Sequence, residues 1–294
     1  MKLLVSVRSS EEALLAARGG ADFIDLKEPG AGALGGLPVA AIRGIVAALR
    51  EAQVALPISA TIGDLPMHAL AEILVHVDAV AACGVDYVKV GIPREPGAAA
   101  GLDALAACGH RVVPVFIADL GLDFGLIEHA AALRFPGLMV DTANKTAGSL
   151  FELARMDELR RFVDTAHGVG AMAGLAGALR LEHAPALAAL APGFAGFRSA
   201  VCAGSRSNAL EAQRLHALVA ALASAAALAA TLPDAQAQCS PPVASRPAPR
   251  VTQWPLQGHG GEQPPWGGPA TVAQRSTPRN SPSSNERICA SSVR

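Results

Sequence analysis

The sequence predicts an α/β protein, a single (β/α)8 TIM barrel with a disordered C-terminal tail, and three observations lead to this fold class. Short β-branched runs alternate with Ala- and Leu-rich amphipathic stretches eight times within residues 1–222. Such alternation indicates parallel strands joined by right-handed crossovers. Eight units in about 220 residues are what a (β/α)8 barrel requires. The composition then changes abruptly near Leu232.

Eight apolar runs are predicted as strands because they are short, rich in β-branched residues and bounded by turn residues. In chain order they are Leu3–Val7, Phe23–Lys27, Pro57–Ile62, Tyr87–Gly91, Val112–Ala118, Leu138–Asp141, Ala171–Leu175 and Phe197–Cys202. Between them a helical period predicts amphipathic helices. They include Ser10–Arg18, Val39–Glu51, Met67–Ala82, Phe124–Leu133, Met156–His167 and Asn208–Leu222.

A doubly wound open sheet is the main alternative to the barrel. That fold would normally carry a GxGxxG turn after an early strand. Residues 30–36 read GAGALGG, but they follow the second strand and lead into Pro38. The barrel is therefore favoured.

The predicted domain boundaries follow the composition. Residues 1–222 form the catalytic barrel, 223–232 are a helix end or linker, and 233–294 are a disordered Pro/Arg-rich tail. The tail holds 11 of the 21 prolines and shows no apolar periodicity. Such a segment cannot bury enough surface to offset its ordering entropy.

The composition argues against several classes of protein. A net charge of -1 and 4% aromatic residues do not suit a nucleic-acid partner. Five cysteines without a CxxC pair indicate a reducing compartment. Glu11 and Glu12 interrupt any signal core, and the apolar run Leu218–Leu232 is too short to span a bilayer. We therefore expect a cytoplasmic protein with neither nucleic acid nor membrane as a partner, and the sequence leaves open a homo-oligomer.

Lysine is rare in this chain and its placement is informative. There are four lysines, Lys2, Lys27, Lys89 and Lys145, against 20 arginines. The last three fall at or just past the ends of even-numbered predicted strands, where barrel enzymes place their working groups. Arginine stays protonated at neutral pH, whereas lysine can lose its proton. The pattern predicts a deprotonable amine that acts as a Schiff-base nucleophile or a general base.

Carboxylates accompany these lysines. Asp25 and Lys27 share strand parity, so both point to the same face, and Asp141 ends the sixth predicted strand. They are candidates for proton transfer. The alternative, that each lysine merely pairs with an aspartate, stays open. The eight histidines do not cluster at ligand spacing, so no metal is predicted.

The loops after the seventh and eighth strands are predicted to bind phosphate. Glycine there lets backbone amides approach an anion, and arginine can clamp it. The candidate residues are Gly174, Gly177, Arg198, Ser199, Gly204 and Arg206. A small phosphorylated molecule is therefore the expected partner.

Six segments together resemble one family. They are VSVRS (5–9), DLKEPGAGALGG (25–36), YVKVGIP (87–93), MVDTANKT (139–146), AGLAGAL (173–179) and FRSAVC (197–202). These strings look like the (5-formylfuran-3-yl)methyl phosphate synthase family, also called 4-(hydroxymethyl)-2-furancarboxaldehyde-phosphate synthase. The resemblance covers essentially all of residues 1–222 and does not extend into the tail.

The resemblance implies a carbon–oxygen lyase that condenses two molecules of glyceraldehyde 3-phosphate, with loss of one phosphate and water, for methanofuran-type cofactor synthesis. It implies that Lys27 is the Schiff-base lysine and Lys89 the proton acceptor. Asp25, Asp141 and Lys145 match the remaining charged pocket positions, and no cofactor is implied. Three alternatives stay open: a class I aldolase-like enzyme acting on another sugar phosphate, an isomerase without covalent catalysis, and a non-catalytic phosphate-binding barrel.

Overall fold

The computed structural model describes residues 1–32, 34–145 and 147–231. Eight parallel strands follow one another in chain order and close into a barrel, with the first strand paired to the last. The strands are β1 Lys2–Val7, β2 Phe23–Leu26, β3 Ile58–Thr61, β4 Tyr87–Ile92, β5 Val112–Ile117, β6 Gly137–Asp141, β7 Met172–Leu175 and β8 Phe194–Phe197. The predicted (β/α)8 fold is confirmed.

Helices connect the strands. They are α1 Ser10–Arg18, α2 Val39–Glu51, α3 Leu70–Ala81, α4 Ala98–Ala107, α5 Phe124–Ala132, α6 Leu150–Leu153, α7 Met156–Gly168, α8 Ala184–Leu190 and α9 Ala212–Thr231. Local signals start several of them: the Ser9 side chain accepts a hydrogen bond from the N–H of Glu12 at the start of α1, and Asp123 caps α5 in the same way. The bounds of α1 and α2 agree with the sequence prediction.

The barrel interior is apolar toward the amino ends of the strands and polar toward their carboxyl ends. Side chains alternate between the two faces of a strand, so a step of two residues stays inside the barrel. On β1, β2, β4 and β6 such a step exchanges an apolar or aromatic side chain for a polar or charged one. The pairs are Leu4 and Ser6, Phe23 and Asp25, Tyr87 and Lys89, and Met139 and Asp141. This gradient places the chemistry at the carboxyl end.

The eighth strand lies earlier than predicted. It spans Phe194–Phe197, not Phe197–Cys202, and pairs in register with β1 from Lys2 to Val5. At Arg198 the backbone leaves the extended region, with φ -134° and ψ -61°, and enters a 3-10 turn at Ser199–Val201. The sequence prediction misses this strand because the central residues of FAGF (194–197) are alanine and glycine, which lack the β-branched side chains that indicate a strand.

The last helix is longer than the sequence prediction. α9 runs from Ala212 to Thr231, so the boundary predicted at residue 222 falls inside it. By length and composition it could cross a membrane, which corrects the expectation that this region is too short. An outer helix of a barrel passes the same test, and Leu215, Leu218 and Leu222 are buried in the core. The tail predicted at 233–294 lies outside the described residues.

Candidate active site

Two lysine–aspartate ion pairs lie inside the carboxyl end of the barrel. Lys89 Nζ on β4 is 2.5 Å from Asp25 Oδ1 on β2. Lys27 Nζ, just after β2, is 3.1 Å from Asp141 Oδ2 at the end of β6. All four side chains are more than nine-tenths buried. Asp25 and Lys27 share a face as predicted, and each pairs with a residue from another strand.

Asp141 is shared between two amines. Its Oδ2 accepts a hydrogen bond from Lys27, and its Oδ1 accepts from Lys145 Nζ and from the N–H of Thr142 at 2.8 Å. Burial by itself would raise the Asp141 pKa, but Lys27 and Lys145 hold that pKa well below its ordinary value. Asp141 is therefore an anion that bridges two amines.

Asp25 contacts polar side chains from three other strands. Ser6 Oγ on β1 donates to Oδ2 at 2.8 Å, and Ser59 Oγ on β3 donates to Oδ1 at 2.7 Å. Lys89 supplies the third contact. These donors fix the carboxylate in one orientation, which in turn fixes the Lys89 amine. Ser59 is missing from the sequence prediction, although its inward parity with Thr61 was a usable signal.

The buried amines lose a proton more readily than ordinary lysines. Burial lowers the pKa of Lys89, the Asp25 charge opposes this, and the Lys27 charge lowers the pKa further. Burial also lowers the Lys145 pKa, again opposed by Asp141 and assisted by Lys27. A neutral amine can accept a proton, so both lysines have the property that a general base requires.

These groups line one cavity at the barrel mouth. The cavity brings together all five residues predicted to be catalytic: Asp25, Lys27, Lys89, Asp141 and Lys145. From the predicted phosphate set it is lined by Gly177, Arg198, Ser199 and Arg206. The lysines thus do pair with aspartates, and the pairs face an accessible space.

Gly174 and Gly204, two other predicted phosphate residues, do not line this cavity. A Cβ atom at Gly174 would lie 2.2 Å from the Phe194 ring, so packing inside the barrel requires the glycine there. Gly204 lies in the loop after β8 with φ +77°. Gly174 thus lies within β7 and not in the loop after it, and the sequence signal, a glycine near the end of a strand, does not distinguish packing from anion binding.

Arg198 has a different role from the predicted phosphate clamp. Its Nη1 and Nη2 donate to the two Glu12 carboxylate oxygens at 2.6 and 3.1 Å. Its other N–H groups donate to the carbonyls of Ser6, Arg206 and Asn208 at 3.1, 2.9 and 2.8 Å. An arginine has five N–H donors, and all five are used here. Arg198 therefore holds the loops after β1 and β8 together.

Breaking this pair is expected to destabilise the barrel. Glu12→Gln leaves a buried guanidinium without its counter-charge, because both side chains are 9% exposed. We expect the free energy of unfolding to fall by about 3 kcal/mol or more. The matched control is Glu128→Gln, which breaks an exposed pair with Arg161 and is expected to cost less than ~1 kcal/mol. Urea unfolding measures both, and equal losses would contradict the role given to the buried pair.

The β7 side of the cavity offers backbone N–H groups. Gly177 and Ala178 both have positive φ, +121° and +45°. Within the described part of the chain, the N–H groups of Gly177, Ala178 and Leu179 donate to no other residue. Successive free amides in such a turn form a concavity suited to an anion. Arg206, half-buried on the β8 loop, faces the same cavity.

No group of three or more His, Cys, Asp or Glu side chains is positioned to hold a metal ion among residues 1–32, 34–145 and 147–231. The ionisable groups that line the mouth are instead three amines, two carboxylates and two guanidinium groups. This set suits proton transfer and anion binding.

A sequence model of the 4-HFC-P synthase family matches residues 3–219, which include every residue of the cavity. The chain belongs to the 4-HFC-P synthase family. A relative from Methanosarcina mazei, named (5-formylfuran-3-yl)methyl phosphate synthase, is 35% identical over 234 residues, covering 75% of this chain and 98% of the relative. A Methanopyrus kandleri protein of the same name is 37% identical, covering 68% and 89%. A Methylorubrum extorquens protein provisionally given this name is 39% identical, covering 75% and 91%.

Solved structures agree with the fold of this 4-HFC-P synthase family member. Phosphoribosyl anthranilate isomerase from Thermus thermophilus aligns with a TM-score of 0.54 at 21% identity, covering 76% of this chain and 99% of the other. The 3-hexulose-6-phosphate synthase from Salmonella typhimurium aligns with a TM-score of 0.51 at 19% identity, covering 76% and 100%. Likeness at this level shows the barrel alone.

Proposed function

We propose that this enzyme condenses two molecules of glyceraldehyde 3-phosphate into (5-formylfuran-3-yl)methyl phosphate through a Schiff base on Lys27. The atoms balance when one phosphate and two molecules of water leave. The product is proposed to feed methanofuran-type cofactor synthesis. The observation that carries the proposal is the arrangement of two buried amines in one cavity. Lys27 forms an ion pair with Asp141, and Lys89 forms one with Asp25. Membership of the 4-HFC-P synthase family supports the choice of product.

The first step is attack by the neutral Lys27 amine on the aldehyde carbon of one triose phosphate. A carbon–nitrogen bond forms, the carbonyl oxygen takes up protons and leaves as water, and an iminium ion remains. Asp141 is placed to support this step, because its carboxylate is hydrogen-bonded to the attacking nitrogen. Its second oxygen contacts Lys145, so a proton can pass between the two amines.

The second step is removal of a proton from the carbon next to the iminium. Lys89 takes that proton, since burial favours its neutral form. The electron pair of the broken C–H bond forms an enamine. The enamine then either expels phosphate from the neighbouring carbon or attacks the aldehyde of the second molecule. Ring closure and dehydration then release two molecules of water. Hydrolysis of the carbon–nitrogen bond takes up the water released in the first step, frees the furan and restores the Lys27 amine. Asp25, Asp141 and Lys145 are the available proton carriers.

The phosphate of the bound triose is proposed to lie against the β7 and β8 loops. The free amides of 177–179 supply hydrogen bonds, and Arg206 supplies the charge. Ser199 lines the same wall. Anchoring the phosphate there points the aldehyde inward, toward the lysines.

The direct test is to incubate the protein with glyceraldehyde 3-phosphate and follow ultraviolet absorbance together with phosphate release. A furan absorbs in the ultraviolet, whereas a simple aldol adduct does not. We expect an absorbing product with one phosphate released for each two substrate molecules consumed. Consumption without absorbance or phosphate release would indicate an aldolase instead. Conversion of the substrate into an isomeric sugar phosphate, with no covalent substrate adduct on any lysine, would indicate an isomerase that acts by proton transfer alone.

A further inference from the structure

One buried residue of the barrel interior comes from a loop. The interior cluster contains Leu4, Phe23, Val113, Val115, Met139, Ala176 and Phe194, all of which lie on strands or directly after one. Leu34 belongs to the same cluster, is 1% exposed, and lies in the β2–α2 loop eight residues beyond the end of β2. This loop therefore turns back and inserts one apolar side chain into the barrel mouth.

The inserted loop is fastened to β3 and to the loop that follows it. The N–H of Leu34 donates to both Asp64 carboxylate oxygens, at 3.1 and 3.2 Å. The carbonyl of Gly35 accepts from Thr61 Oγ1 and from the N–H of Glu28, both at 2.9 Å. These hydrogen bonds at Leu34 and Gly35 fix the backbone of the loop and so fix how far the Leu34 side chain extends into the barrel.

Leu34 occupies the space above Lys89. Gly91 lies two residues further along β4 and faces the same way as Lys89. A Cβ atom at Gly91 would be 2.8 Å from Leu34 Cδ1. The absent side chain at 91 thus leaves room for Leu34, which fills the position between Lys89 and the outer end of the mouth.

On its outer side Leu34 borders a second cavity. This cavity is lined by Leu34 and Gly91 together with apolar residues that include Leu65, Pro93, Ile117 and Leu120. Lys89 lines the inner cavity, and Leu34 does not. Leu34 therefore stands between an open apolar space and the buried amine.

We propose that Leu34 is a positioning residue that excludes water from the Lys89 amine and so maintains the neutral form that a general base needs. This role rests on the function proposed above for Lys89. The charged groups facing Lys89 are Asp25 and Lys27 from β2 and Asp141 from β6. The residues paired with it in register on β3 and β5, Thr61 and Val113, carry no charge. Leu34→Ala leaves all of these groups in place and opens a path for water to Lys89.

The direction of the effect follows from the cause of the shift. Burial lowers the Lys89 pKa. Water admitted by Leu34→Ala relieves part of that burial, so the Lys89 pKa rises, by about one unit. Because the base acts in its neutral form, the acidic limb of the kcat/KM profile moves to higher pH by the same amount.

The scarcity of lysine makes a direct titration feasible. Protein grown with 13C-labelled lysine gives four side-chain signals, from Lys2, Lys27, Lys89 and Lys145, and a Lys89→Arg sample assigns the third. NMR titration of the full chain then reports the Lys89 pKa without substrate or turnover. We expect it about one unit higher in Leu34→Ala than in the unaltered protein, and restored in Leu34→Met, which refills the space.

Two further variants separate water exclusion from general loosening. Gly91→Ala pushes the flexible tip of Leu34 aside and is expected to raise the Lys89 pKa in the same direction. Leu120→Ala makes the same Leu-to-Ala change in the wall of the outer cavity, at a residue that is 76% exposed. This control is expected to leave the Lys89 pKa unchanged. An unmoved Lys89 signal in Leu34→Ala, or an equal movement in Leu120→Ala, would overturn the proposal. A failed furan assay with the expected titrations would count against the proposed function alone.

Discussion

Lys27→Arg is expected to abolish furan formation, lowering kcat by at least ~10³-fold while the barrel stays folded. In the unaltered protein, Lys27 Nζ is 3.1 Å from Asp141 Oδ2. Arginine at position 27 keeps a positive charge beside Asp141, so the buried carboxylate retains a partner. It has no free lone pair at neutral pH, and therefore cannot form an imine. A loss of this size without unfolding isolates the covalent role of Lys27.

The measurement combines the furan assay with borohydride trapping and mass spectrometry. In the unaltered protein, borohydride in the presence of substrate is expected to leave a reduced adduct on Lys27. The matched control is Lys2→Arg, the same change on an exposed lysine at the amino end of β1, which is expected to keep full activity. Turnover retained in Lys27→Arg would rule out Schiff-base catalysis through this residue.

Lys89→Met is expected to lower kcat by ~10²- to 10⁴-fold, the usual contribution of a general base. Methionine fills a similar volume in the barrel but cannot accept a proton. Asp25 keeps hydrogen bonds from Ser6 and Ser59, so the variant does not leave that carboxylate without donors. The buried carboxylate nevertheless loses its counter-charge, so we expect the free energy of unfolding to fall by about 3 kcal/mol or more, and circular dichroism must show the variant folded at the assay temperature.

Trapping distinguishes the two lysines. Because Lys27 is unchanged in Lys89→Met, borohydride is still expected to produce the adduct on Lys27, although turnover is lost. Lys27→Arg is expected to lose both. If Lys89→Met also fails to form the adduct while its circular dichroism at the assay temperature shows a folded barrel, Lys89 acts before imine formation, and its role as the base for carbon deprotonation is wrong.

The alternation of strands and helices was readable because each element carries its own periodic signal. A parallel strand buried on both faces is a short apolar run, and seven of the eight predicted runs overlap the observed strand closely. Phe194–Phe197 was misplaced because alanine and glycine carry no strand signal, and its position is fixed by pairing with β1.

The candidate catalytic residues were identifiable from residue type and strand position. A chain with 20 arginines has only four lysines, of which three are at 27, 89 and 145, and strand parity places Asp25 and Lys27 on one face. The phosphate residues were less well predicted. In the sequence, a glycine near the end of a strand looks the same whether it admits an anion, as Gly177 does in the proposal, or a phenyl ring, as Gly174 does.

The sequence by itself determined the barrel and the lysines and aspartates at its mouth, since both follow from local periodicity and residue chemistry. Only the tertiary structure decided which charges pair, because Asp25 meets Lys89 and Lys27 meets Asp141 across the interior of the closed barrel, between strands that are not hydrogen-bonded to each other. It also decided that Arg198 is saturated by Glu12 and that Leu34 reaches into the mouth. Contacts between residues distant in sequence depend on packing in three dimensions, which no local pattern encodes.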